Sequence, residues 1–419
     1  MGDHLVEEVF ICLFLVLNAA QVNGARFVNV TLIETALSKG AVCLDGSPPA
    51  YAIDKGYGCG SNNWLVYIEG GAWCHSNPDC AYRSTGMYGS SSKRNRFYFS
   101  GILDQNQSFN PDFYNWNRVY LVYCDGSSFL GDADVIDPGT KTKLYYRGSR
   151  VFDAVMEELL AKGMNTADNR LRRTAVRDQK TTAFVKTVVI FNSATYMGDY
   201  GTAVKWPPEP LLKACYTCGG NLPGAKERED YFTKVVELHG LEAFLPASCT
   251  SKMNPGLCLF PENLVEDVQT PLFLLESSFD KYQLKDMLTP YIGGGRPEWN
   301  NCLNQSLTFC NSTQLETMKK FQKIFLQTLQ NLDYSSERGM FVHTCYLHCH
   351  LLAKDEWKCS SVVNNVLENK TVADAIGDWY FDRSRFQQID TCNKMPRNCS
   401  STLRVDSDAF NRKCYMFTE

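Results

Sequence analysis

The chain has 419 residues, 44% of them hydrophobic and 12% aromatic, enough to bury one large core. Its formal net charge is −4, from 42 Lys and Arg against 46 Asp and Glu. Such weak acidity gives no electrostatic basis for binding nucleic acid or an anionic membrane surface.

Residues 9–20 (VFICLFLVLNAA) form an almost unbroken apolar stretch, followed by polar Gln21 and Asn23 and small Gly24. That length suits the hydrophobic region of a secretory signal and falls short of a bilayer span. Residues 1–24 are therefore expected to be a cleaved signal peptide, with no stable membrane insertion afterwards. The leading MGDHLVEE is acidic where such a segment is normally basic, so a membrane anchor and a buried N-terminal helix remain as competing readings. There are 18 cysteines, and losing Cys12 with the leader leaves 17, spread from Cys43 to Cys414. So many cysteines point to an oxidising compartment and a disulfide-rich chain. The odd one is free, paired between chains, or without its partner. Asn29, Asn106, Asn304, Asn311, Asn369 and Asn398 each begin an N-x-[ST] glycosylation signal, in keeping with export.

No repeat, low-complexity tract or long linker divides residues 25–419, which read as a single domain. In chain order, residues 64–68 (WLVYI) and 119–123 (VYLVY) read as buried strands, the first running into Glu69-Gly70-Gly71-Ala72-Trp73. Residues 148–162 read as a helix with Val151, Phe152, Val155, Met156, Leu159 and Leu160 on one face, stopped by Gly163. Residues 186–191 (KTVVIF) and 271–275 (PLFLL) are further buried strands, 315–332 a long helix, and 340–342 a short last strand. Strands apolar on both faces and separated by helices predict an α/β fold: a mostly parallel central sheet flanked by helices. In such sheets chemistry sits in the loops beyond the strand C-termini.

Three of those loops fit one another. The glycines at Gly70 and Gly71, with Ala72, allow a sharp turn that leaves amides to face a substrate oxyanion; a plain tight turn is the competing reading. Asp280 follows the PLFLL strand by a short loop, where a carboxylate can orient a catalytic histidine or simply cap the next helix. His348 lies in Cys345-Tyr346-Leu347-His348-Cys349-His350, and the order Asp280 then His348 matches the later part of the Ser…Asp…His order of α/β hydrolases. A zinc site built from Cys345, His348, Cys349 and His350 is disfavoured, because exported cysteines usually oxidise. Cys215 and Cys218 form a CxxC without a thioredoxin-like context. No metal or other cofactor is expected.

The segments WLVYIEGGAWC, NPDFYNWNRVYLVYCDGSSFLGD, LYYRGSRVFDAVMEELLAKGM, LPASCTSKMNPGLCLFPEN, CYLHCH and GDWYFDRS are strongly similar to plant pectin acetylesterases. The resemblance runs from about Val42 to about Asp390, apart from one block. It implies an α/β-hydrolase-like carboxylesterase, related to the animal enzyme Notum, that acts in the cell wall. Members of that family remove O-acetyl groups from galacturonan with Ser, Asp and His and no metal. The family's acid then matches Asp280, its histidine His348, and its oxyanion loop Gly70, Gly71 and Ala72, the last more often a glycine in relatives. The implied partner is acetylated pectin.

The family's Gly-Cys-Ser-Ala-Gly-Gly nucleophile motif is missing. No G-x-S-x-G occurs in this sequence, and from about Arg170 to about Lys226 the similarity collapses. Ser193 is the residual candidate, after a strand pattern at residues 187–191. An elbow needs small residues two before and two after the serine, and Phe191 and Thr195 stand there. A loop serine or helix cap is the competing reading. Two alternatives to an active pectin esterase follow: a wall protein that has lost its nucleophile, and a Notum-like lipid carboxylesterase.

Overall fold

A computed structural model describes residues 26–167, 190–192, 225–263, 265, 271–288, 297–332, 335, 338–348, 351–352, 357–358, 370–390 and 394–397. The expected signal peptide, Ser193, Cys215, Cys218, Cys349 and His350 lie outside them.

Eleven strands are described: β1 (Arg26–Leu32), β2 (Ala50–Asp54), β3 (Trp64–Ile68), β4 (Arg96–Phe99), β5 (Asn117–Leu121), β6 (Ala133–Ile136), β7 (Lys143–Tyr146), β8 (Ile190–Asn192), β9 (Leu272–Ser277), β10 (Arg338–His343) and β11 (Gln387–Ile389). They form a five-stranded sheet of order β3-β5-β2-β1-β4, a four-stranded sheet of order β11-β10-β9-β8, and the β6-β7 pair. The expectation of one mostly parallel central sheet is corrected here. The four-stranded sheet is parallel throughout. In the five-stranded sheet only β3 and β5 run parallel, while β1–β2, β1–β4 and β2–β5 are antiparallel. An apolar run reports burial on both faces but not strand direction. The antiparallel β2 (AYAID) is buried at every position but Ile53, with small Ala50 and Ala52.

The four-stranded sheet and the β3–β5 part of the five-stranded one are covered on two sides. Along β9, Leu272 and Leu274 enter one buried cluster while Phe273 and Leu275 enter another. Met340 and Val342 of β10 join the first and Phe341 the second. The second cluster also takes Leu65 and Tyr67 from β3, so one apolar layer runs beneath both sheets. The helix Gly148–Ala161 buries Val151, Phe152, Val155, Met156 and Leu159 against Trp64, Val66 and Ile68 of β3. Gly163, at φ 109°, takes the left-handed conformation that ends it. The long helix starts at Ser312, earlier than its apolar pattern suggests. Asn311 accepts from the Gln314 amide, and Gln314 returns a bond to the Asn311 amide, a capping box that fixes the first turn.

Disulfides join Cys43 to Cys124, Cys74 to Cys80, Cys249 to Cys258 and Cys302 to Cys310. Cys59 and Cys345 are also disulfide-bonded, so every described cysteine is oxidised. The Cys43–Cys124 bridge spans 81 residues, a separation at which the chain-entropy model gives about 4–5 kcal/mol of stabilisation. No helix among the described residues is long and apolar enough to cross a membrane.

Candidate active site

The site begins with two neighbouring parallel strands. β9 and β10 pair in a register that sets Ser277 beside His343, so the loops leaving their C-terminal ends start side by side. Cross-bonds keep them together: the Ser278 amide donates to the His343 carbonyl at 2.8 Å, and the Ser277 hydroxyl donates to the Cys345 carbonyl. The Lys281 amide reaches the Leu347 carbonyl at 3.4 Å. Residues 68 positions apart in sequence therefore meet, and His348 Nδ1 lies 2.8 Å from Asp280 Oδ2.

Asp280 is fully buried and His348 is 4% exposed. An ionised carboxylate only accepts, so the proton of a neutral His348 sits on Nδ1, and Nε2 presents its lone pair. Nε2 is buried with no hydrogen-bond partner among the described residues. The Tyr282 ring meets the imidazole edge-on, 4.5 Å between centroids. Asp280 also plays the role that competed with catalysis in the sequence. Its Oδ1 accepts from the amides of Tyr282 (2.9 Å) and Gln283 (2.8 Å), capping the helix Lys281–Leu288. One oxygen caps the helix while the other meets the imidazole, so capping does not exclude an orienting role.

The glycine loop leaves the end of β3. Arg83 donates to the carbonyls of Gly71 and Trp73, Tyr123 OH donates to that of Ala72, and Tyr231 OH donates to that of Trp73 at 2.7 Å. In a trans peptide the N–H points opposite to the C=O before it, so the amide of Ala72 points away from Arg83 and that of Trp73 away from the Tyr123 hydroxyl. An oxyanion site would draw on amides of this kind. Ala72 and Trp73 pack in the same buried cluster as Phe279 and Leu284, which bracket Asp280. Ala72 is held at φ 59°, a left-handed backbone that costs an L-residue roughly 1–2 kcal/mol and that a glycine would adopt freely. A Cβ on Gly71 would sit 2.3 Å from Cε1 of the buried Tyr123. Gly71→Ala is therefore expected to destabilise the fold by about 1–3 kcal/mol and to lower turnover by displacing the loop. Urea unfolding alongside an esterase assay checks this; an unchanged midpoint and rate would mean that Tyr123 yields freely.

Sequence reading gave Glu69 no role. Glu69 is buried, accepts from Arg94 Nη2 (2.7 Å) and from the Tyr123 amide (2.9 Å), and so ties the glycine loop to the chain leaving β5. Burial pushes its carboxyl above the usual range, and the Arg94 charge pulls it back in part. The available signal was a charged residue closing an all-apolar strand, since a buried charge requires a partner.

Ser193 is the one predicted site residue that the described residues do not include. β8 runs parallel beside β9 with Asn192 opposite Leu275, and ends there; Ser193, next in the chain, lies outside the described residues. Two donor sets among the described residues bear on metal ligation. Cys345 is disulfide-bonded and offers no thiolate. Cys74, Cys80 and His239 do converge, but the two sulfurs are bonded to each other and His239 Nε2 is engaged with the Cys74 carbonyl at 2.8 Å.

The pectinacetylesterase family model matches residues 21–172 and 219–402. The chain belongs to the pectinacetylesterase family. Pectin acetylesterase 11 of Arabidopsis thaliana is 39% identical over 394 residues, covering 92% of this chain and 94% of the relative. The palmitoleoyl-protein carboxylesterase Notum of Schmidtea mediterranea is 24% identical, over 78% of this chain and 58% of its own length. Among solved structures, the Wnt deacylase Notum from Drosophila superposes with a TM-score of 0.63 at 18% identity, covering 89% of this chain and 100% of that one. This chain shares its fold. The unmatched gap between residues 172 and 219 contains Ser193 and falls inside the stretch where no nucleophile motif occurs.

Proposed function

We propose that this pectinacetylesterase family member is a secreted carboxylesterase that hydrolyses acetyl esters of cell-wall pectin and releases acetate. The observation that carries the reading is the buried Asp280–His348 pair, whose Nε2 has no hydrogen-bond partner among the described residues. In this reading Nε2 takes the proton of a serine hydroxyl as that oxygen attacks the acetyl carbonyl. Asp280 holds the tautomer and stabilises the imidazolium that results. The amides of Ala72 and Trp73 receive the oxyanion, the sugar hydroxyl leaves with the proton from Nε2, and water then releases acetate from the acyl-serine. Ser193 is the proposed nucleophile, because it follows the strand that lies beside β9.

A second reading has one specific observation in its favour. The family match lapses over the segment where a nucleophile elbow belongs, as expected for a wall protein that keeps the scaffold without the chemistry. A Notum-like lipid esterase fits less well, given 24% identity to Notum against 39% to the plant relative. Acetate release from acetylated pectin and from an aryl acetate separates these readings. Turnover that disappears in Ser193→Ala establishes the esterase and its nucleophile. A folded wild type that releases acetate no faster than buffer establishes the inactive protein.

A further inference from the structure

We propose that Asn29 and Asn311 carry N-linked glycans, and that the first sugar of each lies on the exposed phenylalanine two residues before it, Phe27 or Phe309. The modification needs an exported chain, so it rests on the secreted reading above, and it is independent of any esterase activity.

One pattern occurs twice. Phe27-Val28-Asn29-Val30-Thr31 and Phe309-Cys310-Asn311-Ser312-Thr313 set a phenylalanine, the acceptor asparagine and a threonine at every second position. In extended chain, alternate side chains fall on the same side. β1 is extended throughout, with Val28 buried and Phe27, Asn29 and Thr31 exposed. In the second segment Cys310 (φ −77°, ψ 128°) and Asn311 (φ −80°, ψ 171°) are extended, and Phe309, Asn311 and Thr313 are exposed. Among the described residues the strongly exposed phenylalanines are Phe27 (57%), Phe309 (59%) and Phe381 (43%). Phe381 packs against Phe113, Trp116, Tyr380 and Arg383. The other two are the ones beside a glycosylation signal.

β4 completes the first seat. Tyr98 pairs with Phe27 and Arg96 with Asn29, and both β4 residues are exposed while Phe97 and Phe99 are buried. The Phe27 and Tyr98 ring centroids lie 5.3 Å apart, and the Arg96 guanidinium is 4.3 Å from the Phe27 ring. One face of a β-linked N-acetylglucosamine presents only C–H groups, which suit an aromatic ring, and its hydroxyl and acetamide oxygens accept from a guanidinium. β4 is also an edge strand, and a glycan rooted on the adjacent strand hinders a further chain from pairing there.

The second seat is compatible with the helix cap, because Asn311 Oδ1 accepts from the Gln314 amide at 2.9 Å and leaves Nδ2 for the glycosidic bond. In the transfer, Nδ2 bonds to C1 of a lipid-pyrophosphate-linked oligosaccharide and gives up one proton, while the C1–O bond breaks and the lipid pyrophosphate leaves. The other described signals lack the pattern: Asp104 stands two residues before Asn106, and the disulfide-bonded Cys302 two before Asn304.

The test expresses the full chain, its own N-terminus included, in eukaryotic secretory cells. A glycoamidase acting in heavy-oxygen water converts each modified asparagine to labelled aspartate, which mass spectrometry locates. Asn29 and Asn311 are expected to be labelled, and Thr31→Val and Thr313→Val to abolish the respective signals without touching the asparagines. In urea, each valine variant is expected to lower the folded-to-unfolded ratio about fivefold. That loss is expected to vanish where Phe27→Ala or Phe309→Ala is already present, the coupling of two groups in contact. A secreted chain with either asparagine unlabelled overturns the proposal at that position and leaves the secreted reading standing. Labelling with the same loss in the presence and absence of the phenylalanine overturns the seat. A chain that is retained and bears no glycan overturns the proposal and the secreted reading together.

Discussion

Replacing His348 with alanine is expected to reduce acetate release about 10⁶-fold, and Asp280→Asn about 10⁴-fold, the effects seen when members of such a catalytic unit are removed. The asparagine is the more informative substitution because it is nearly silent structurally. Its side-chain oxygen can still accept from the amides of Tyr282 and Gln283, so the helix Lys281–Leu288 stays capped. What it presents to His348 Nδ1 is an amide N–H in place of a carboxylate oxygen. The imidazole must then carry its proton on Nε2, and a protonated Nε2 is no base. The measurement is kcat on an aryl acetate, with circular dichroism to show an unchanged fold. A wild-type kcat in Asp280→Asn would remove the pair from the mechanism, whatever its resemblance to a catalytic dyad.

Stability is expected to fall steeply between pH 7 and pH 5, by about 4 kcal/mol from two buried histidines other than the proposed catalytic one. His239 and His343 are 0% and 2% exposed. Desolvation holds His239 at about 4 and His343, with Arg397 nearby, at about 3, against 6.5 for a free imidazole. The unfolded chain therefore binds protons at both positions as pH drops below 6.5, while the folded chain does not. Stability is fully present above 6.5 and is lost as pH falls towards the folded values, with a slope of up to about 2.7 kcal/mol per pH unit. Glu69 acts in the opposite sense. Its raised carboxyl lets the folded state take up a proton first, offsetting up to about 1.4 kcal/mol per pH unit once its own range is reached. Urea unfolding across this range checks the slope. His239→Gln preserves a donor to the Cys74 carbonyl, and His343→Asn preserves an acceptor for the Cys345 amide. Each substitution is expected to remove about half of the slope; two variants with the wild-type profile would show that other groups govern acid unfolding.

Much of the site was legible because it hangs on the loudest parts of the sequence. WLVYI and PLFLL are strands that no amphipathic helix can imitate over so few residues, and each points at a loop with the right chemistry. β3 matches its apolar run residue for residue, while β5 begins two residues before its run, at Asn117. β9 and β10 extend beyond the apolar letters into Glu276, Ser277 and His343, which are buried polar residues paired across the sheet. β1, β2 and β4 escaped notice for different reasons. β4 (RFYF) alternates exposed and buried residues over only four positions, and β2 uses alanines that carry little hydrophobic signal. β1 begins just after the N-terminal apolar stretch, where its own pattern is hard to separate.

The sequence by itself determined the family and the oxidised state expected of the cysteines, and it singled out Asp280, His348 and the glycine turn as candidates, because residue type and local order suffice for each. Tertiary structure decided which strands run antiparallel, since hydrogen-bond direction depends on the neighbouring strand and leaves no mark on side-chain composition. It also decided that Asp280 both caps a helix and orients a histidine, because the second partner arrives 68 residues later through the pairing of β9 with β10. The packing of Tyr282 against His348 belongs to the same class: one turn of helix laid against a loop from another strand, a contact that exists only once both strand ends have been brought to the same edge of the sheet.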